Sequence, residues 1–182
     1  YVEARAKRLR GARIYLGGAH GSSVLGTEHI MMAAALAEGK TIIDCAACEP
    51  EVEDVAQFLN RMGATVTGAG TPRITITGVP NLCGATHDII PDRIEAGTFV
   101  FAAAMTGGDV VIEDVRPDHL FSVLDVLARA GGTEIQVRFE GEAAATEGRI
   151  REVVAGCGVE DASVVRIGRA DVFQLKIAPA TK

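Results

Sequence analysis

The sequence predicts a mixed α/β (α+β) fold built from a repeated β-α-β-α-β-β unit, incomplete in its second copy and followed by a C-terminal β-α-β-β segment. Three observations carry that reading. The stretch Ala33-Ala34-Ala35-Leu36-Ala37-Glu38-Gly39-Lys40-Thr41-Ile42-Ile43-Asp44 returns as Ala102-Ala103-Ala104-Met105-Thr106-Gly107-Gly108-Asp109-Val110-Val111-Ile112-Glu113, each time an alanine-rich helix that meets glycine and then a β-branched strand. Each copy continues into a second amphipathic helix that opens at proline, over residues 50–62 and 117–130. Segments of period-two alternation separated by glycine-containing turns then read as hairpins. The period of about 68 residues exceeds that of the common solenoid repeats. A repeated unit buries its apolar face against its neighbours, which constrains where a ligand sits.

Residues 13–16 read as a short strand, followed by the glycine- and serine-rich loop 17–26. Thr27 is expected to cap a helix reaching about residue 37, with Ile30, Ala33, Ala34 and Ala37 on a small-residue face that permits close approach to a sheet. Residues 41–45 form a strand. In the next helix Val52, Val55, Phe58, Leu59 and Met62 make the apolar stripe, while Glu51, Glu53 and Asp54 load the N-terminal turn and suit the helix dipole. Residues 64–67 and 73–77 alternate with period two and are joined by Gly68-Ala69-Gly70-Thr71-Pro72. The second unit opens at residues 87–91, with a helix over 93–104, a strand over 110–114 and a helix over 117–130. A strand over 134–139, a helix over 143–156 and a hairpin of strands 163–167 and 172–177 complete the chain. The expected divisions are 1–86, 87–133 and 134–182.

At 182 residues the chain is long enough to bury a real core, and with 48% hydrophobic residues, 4% aromatics and no Trp it packs with Ala, Val, Ile and Leu. No apolar run approaches the roughly 18 residues that span a bilayer. The first residues, Tyr1-Val2-Glu3-Ala4-Arg5-Ala6-Lys7-Arg8, lack the apolar core of a signal peptide and resemble the tail of a strand. A net charge of −6 argues against general nucleic-acid binding. The basic cluster Arg5, Lys7, Arg8, Arg10 and Arg13 reads as a solvated face or an anion-contacting edge. Cys45-Ala46-Ala47-Cys48 has redox or zinc spacing, but no second pair follows and Cys83 and Cys157 stand alone, so structural cysteines are the expectation. His20, His29, His87 and His119 share no ligand spacing, and no metal site is expected. Reduced thiols without a signal peptide point to the cytoplasm.

Three motifs then carry a resemblance. Ile30-Met31-Met32-Ala33-Ala34 with Leu36-Ala37-Glu38-Gly39, then Ala46-Ala47-Cys48-Glu49-Pro50-Glu51-Val52, then Ile90-Pro91-Asp92-Arg93-Ile94-Glu95-Ala96-Gly97-Thr98-Phe99, closely resemble UDP-N-acetylglucosamine enolpyruvyl transferases, which belong with the shikimate-pathway enolpyruvyl transferases. The resemblance covers roughly residues 1–137. It implies two inside-out α/β barrels, each of three β-α-β-α-β-β units with helices inward and sheets outward. It further implies transfer of enolpyruvyl from phosphoenolpyruvate to the 3-hydroxyl of the sugar in UDP-N-acetylglucosamine, the first committed step of peptidoglycan synthesis, with no metal or organic cofactor. That step needs a base near the sugar hydroxyl, an acid for the enol carbon, and cations around the carboxylate and phosphate.

Carried over by position, Ser23 and Val24 match the uridine-nucleotide loop; Leu25 departs from its usual glycine, with Gly26 one place later. Glu49, Asp92 and Arg93 match polar positions lining the cleft between the barrels and are the candidate catalytic residues. Read without the resemblance, Glu49 and Asp92 are equally helix-capping carboxylates, Arg93 an exposed neighbour and Ser23 a loop residue. The family's N-terminal lysine, its reactive-cysteine loop, its phosphate-binding arginines and its later aspartate lie outside the match. The chain is therefore expected to be a truncation, a chimera or an excised piece, inactive alone. The alternative is a non-catalytic scaffold or interaction protein. Because each barrel takes three units, self-association, with a trimer as one form, is also expected.

Overall fold

A computed structural model of the chain describes residues 3, 5–19, 21–106, 110–130, 135–140, 162–167 and 172–177. The chain divides into two units, Tyr1–Ile90 and Pro91–Lys182. Unit 1 runs β1 (Arg13–Tyr15), α1 (Val24–Ala34), β2 (Lys40–Asp44), α2 (Pro50–Arg61), β3 (Thr65–Thr67) and β4 (Arg73–Thr77), the expected β-α-β-α-β-β order. Among the described residues these strands form one four-stranded sheet in the order β1-β2-β4-β3. The crossover through α1 makes β1 parallel to β2, and β4 lies antiparallel to both β2 and β3.

Period-two alternation decides which face meets the helices. Thr41, Ile43, Ile74, Ile76 and Val66 are buried, while Arg13, Tyr15, Lys40, Arg73, Thr77, Thr65 and Thr67 are exposed. From the helices, Met31 and Ala34 of α1 and Val52, Ala56 and Leu59 of α2 join the same core. The α2 stripe falls where the pattern placed it, with Pro50 opening the helix and Glu51 and Glu53 in its first turn.

The start of α1 differs from expectation. Ser23, not Thr27, is its N-cap, with Oγ accepting from the Gly26 amide at 3.0 Å. Serine and threonine are both good caps, but the buried spacing Thr27, Met31, Ala34 assigns Thr27 to the core face. The helix also ends at Ala34, three residues short of the expected stop.

On the outer face Asp44 accepts from Arg13 Nε at 2.5 Å and from Arg73 Nε at 2.7 Å, tying β1, β2 and β4 together. These two guanidinium hydrogen bonds hold the Asp44 carboxyl below its ordinary value of 3.8. A carboxyl lowered in the folded state stabilises the fold above its ordinary pKa and loses that contribution as pH falls through the lowered value. Asp44→Asn should therefore melt below wild type at pH 7, and the gap should close as thermal unfolding is repeated at pH values falling below 3.8.

At the far edge of the sheet, Asn60 of α2 presents its side-chain amide to β3. Its Oδ1 accepts from the Val66 amide at 2.7 Å and its Nδ2 donates to the Val66 carbonyl at 2.9 Å. His87, which matched no sequence motif, is buried against α2, with Nε2 2.9 Å from Asp54 Oδ1 and its ring stacked on Phe58 at a 5.1 Å centroid separation.

Unit 2 runs α3 (Arg93–Thr106), β5 (Val110–Ile112), a 3₁₀ turn (Pro117–Leu120), α4 (Phe121–Arg129), β6 (Ile135–Glu140), β7 (Ala162–Ile167) and β8 (Val172–Ile177). The single helix expected over 117–130 is split because Pro117 starts a tighter turn. Ala96, Val100, Ala103, Val115, Leu120, Leu124 and Leu127 are buried, and Gly97 lets α3 approach Val123 closely. Strands β5 to β8 form one sheet in the order β5-β6-β8-β7, so the sheet runs across the expected boundary at 133/134. β5 is parallel to β6, and β8 is antiparallel to β6 and β7, repeating the pairing of unit 1. The helix expected over 143–156 and the cysteine Cys157 lie outside the described residues. Among the described residues no helix is long and apolar enough to cross a membrane.

Candidate functional site

The parallel pair β1-β2 sets the geometry. Each strand leads from its carboxyl end toward the N-terminus of a helix, β1 by way of residues 16–19 and 21–23 and β2 by way of residues 45–49. In open α/β sheets that edge is where ligands bind. Two of the sequence-predicted groups, the Ser23–Gly26 stretch and Glu49, thus sit at the same edge of unit 1.

Ser23 has an extended backbone (φ −102°, ψ 121°) and Val24 is the first residue of α1. A Cβ on Gly26 would lie 3.0 Å from Ser23 Oγ, so glycine there leaves room for the capping side chain. No acidic residue lies in the first turn of α1, which leaves the positive end of its dipole uncompensated. Glu49 is the N-cap residue of α2, but its carboxylate makes no cap hydrogen bond. The Glu49 carbonyl accepts the first bond of the helix, from the Val52 amide at 3.0 Å.

Sequence reasoning missed the residue that joins the two loops. Thr27 is fully buried; its Oγ1 donates to the Ser23 carbonyl at 2.8 Å and accepts from the Ala47 amide at 3.0 Å. The signal was present in its place on the buried stripe of α1, and the competing signal was threonine's frequency at caps.

The cysteine loop is built for structure. Cys45 holds a left-handed backbone (φ 57°), a conformation that side-chain-bearing residues keep only when the surroundings impose it. Cys45, Cys48 and Cys83 are free thiols. Burial first, then the charges of Glu49, Cys45 and Glu53, push the Cys48 thiol above its ordinary value of 9.0. That is opposite to the shift of a reactive thiolate. Among the described residues no group of three or more His, Cys, Asp or Glu side chains could hold a metal ion.

Three side chains of the basic cluster near the N-terminus are paired with acids. Arg5 pairs with Glu3, Arg8 with Glu38 and Arg13 with Asp44. A groove of about 520 Å³ lined by Arg8, Leu36, Glu38, Gly78 and Pro80 lies past the C-terminus of α1, at the other end of the sheet from Ser23.

In unit 2, Asp92 caps α3: its Oδ1 accepts from the Ile94 and Glu95 amides at 2.8 and 3.0 Å. It also lines a groove of about 320 Å³ with Glu95, Phe99, Glu113 and Asp114. Arg93, the first residue of α3, is half-buried.

Comparison with known proteins adds three findings. The family profile for EPSP synthase (3-phosphoshikimate 1-carboxyvinyltransferase) matches residues 1–169. The match runs past the limit near residue 137 set by the sequence motifs, so residues 138–169 lie within it as well. UDP-N-acetylglucosamine 1-carboxyvinyltransferase 1 of Caldanaerobacter subterraneus subsp. tengcongensis is 59% identical over 131 residues, which is 72% of this chain and 31% of that protein. UDP-N-acetylglucosamine 1-carboxyvinyltransferase of Desulfosudis oleivorans is 48% identical over 164 residues, 90% of this chain and 36% of that protein. The chain thus spans about a third of the length of the curated relatives it matches. Among solved structures, the enolpyruvyl transferase NikO from Streptomyces tendae superposes with a TM-score of 0.57 at 19% identity, covering 97% of this chain and 37% of that one.

Proposed function

Because the chain belongs to the EPSP synthase family, we propose that it forms part of an enolpyruvyl transferase acting on UDP-N-acetylglucosamine, with unit 1 supplying a wall of the nucleotide-sugar site. The observation that carries this reading is the pairing of two helix N-termini, at Ser23 and Glu49, on one sheet edge, in a chain whose relatives are named for that substrate. Within the first turn of α1, capping uses the Gly26 amide and the Thr27 amide meets the Ser23 carbonyl. The Val24 and Leu25 amides are the ones a diphosphate would meet.

The transfer joins the sugar 3-hydroxyl oxygen to the enol carbon of phosphoenolpyruvate and releases inorganic phosphate; the hydroxyl proton needs an acceptor and the developing charge needs cations. Glu49, whose carboxylate is not spent on capping, is the acceptor this chain offers. Unit 2, taken by itself, offers Arg93 at the start of α3 as a cation. Asp92 is already committed to the α3 amides. The chain spans about a third of the length of its relatives, and our reading is that taken alone it binds the nucleotide sugar without turning it over.

Self-association accompanies this reading. Leu25, Met32 and Leu36 of the α1 segment and Ile94, Phe101 and Met105 of α3 are exposed one repeat apart, giving both units the same apolar helix face. Such faces are buried when units pack helix to helix, as in the inside-out barrel.

Calorimetric titration with UDP-N-acetylglucosamine, on samples also weighed by light scattering, tests both points. Binding near millimolar, about −4 kcal/mol, weakened by Ser23→Ala, with a mass above 19.0 kDa is expected. A monomer that takes up no ligand would overturn the reading in favour of a scaffold whose family chemistry is lost.

A further inference from the structure

We propose that Thr27 is a positioning residue: its hydroxyl fastens the loop ending at Ser23 to the loop ending at Glu49 and so sets the spacing of the two helix N-termini. The inference deepens the proposed function and rests on the reading of that edge as the nucleotide-sugar wall. Three observations support it. Thr27 and Ala47 are both fully buried, so water cannot replace the hydroxyl that the Ala47 amide meets at 3.0 Å. The same oxygen donates to the Ser23 carbonyl at 2.8 Å, which fixes its proton and leaves a lone pair aimed at Ala47. On its other side the loop is held only one residue away, where the Ala46 amide donates to the Pro72 carbonyl of the β3-β4 turn at 3.0 Å. The loop is therefore suspended between α1 and the hairpin, with Cys45 kept at φ 57° between them. Strain of that kind persists only where the surroundings over-determine it.

Thr27→Val keeps the shape and removes the hydroxyl; Thr27→Ser keeps the hydroxyl. Amide hydrogen exchange of the full chain, set against its urea unfolding, separates the cases. In Thr27→Val, exchange at Ala47 and at Gly26 should rise together by about tenfold relative to the rest of unit 1, and UDP-N-acetylglucosamine affinity should fall by a similar factor. Thr27→Ser should restore both. Acceleration at Ala47 alone, a uniform rise that tracks global stability, or equal losses in the two variants would overturn the coupling. If wild type binds no nucleotide sugar, the proposed function fails, and the paired exchange at Ala47 and Gly26 still decides the role of Thr27.

Discussion

Gly78→Ala should prevent unit 1 from reaching its native packing. A Cβ at residue 78 would stand 1.7 Å from the Ala37 carbonyl oxygen, 2.8 Å from its carbon and 3.2 Å from the Ala34 oxygen. All three are backbone atoms, so no side-chain rotation relieves the contact. The position is also held from both sides, because the Gly78 amide donates to the Gly39 carbonyl and the Val79 amide to the Ala35 carbonyl, each at 2.9 Å. Relief requires pulling the end of β4 away from the turn after α1 and breaking both bonds. Ordinary overpacking costs about 1–3 kcal/mol; a backbone clash that also breaks two bonds should exceed about 4 kcal/mol. Urea unfolding followed by circular dichroism measures it. A midpoint within the equivalent of about 1 kcal/mol of wild type would show that the β4 terminus is not packed beneath α1.

Ile43→Ala comes next in size. Ile43 is fully buried at the centre of the sheet, in register with Ile14 on one side and Ile74 on the other. Removing its branched side chain should cost about 2–5 kcal/mol, or roughly 10 °C or more in melting temperature for a unit of this size. Its neighbour Ile42 lies on the opposite face and is half-buried, so Ile42→Ala should cost less than about 1.5 kcal/mol. Thermal melts of the two variants side by side read the facing of the sheet directly. Equal losses would mean that the outer face is covered.

Local chemistry was legible in the sequence, and pairing partners were not. The strand pattern at residues 73–77 and the helix from Pro50 were readable because alternation, a first-turn proline and the acidic first turn agree. The two alanine-rich repeats look equivalent along the chain, yet the strand after α1 is the interior strand β2 whereas the strand after α3 is β5, at an edge among the described strands. Hydrophobic patterning reports which residues are apolar and cannot distinguish an edge strand from a central one. Similarly, Asp92 was identifiable as a helix start, while the bridge from Thr27 to Ala47 joins residues twenty positions apart and leaves no trace in local spacing. The His87–Asp54 contact escaped for the same reason.

The side-chain amide of Asn60 has an effect on how far the sheet extends. In an antiparallel pair, alternate residues turn their amide and carbonyl away from the partner strand. In three-residue β3 that residue is Val66, whose amide and carbonyl both meet Asn60. The outward donor and acceptor that would template an incoming chain are already occupied by a group that is not itself a strand. Open edges seed intermolecular β-aggregation. Here one asparagine ends the ladder, serving as a stopper that keeps the unit from growing into a fibre along that side.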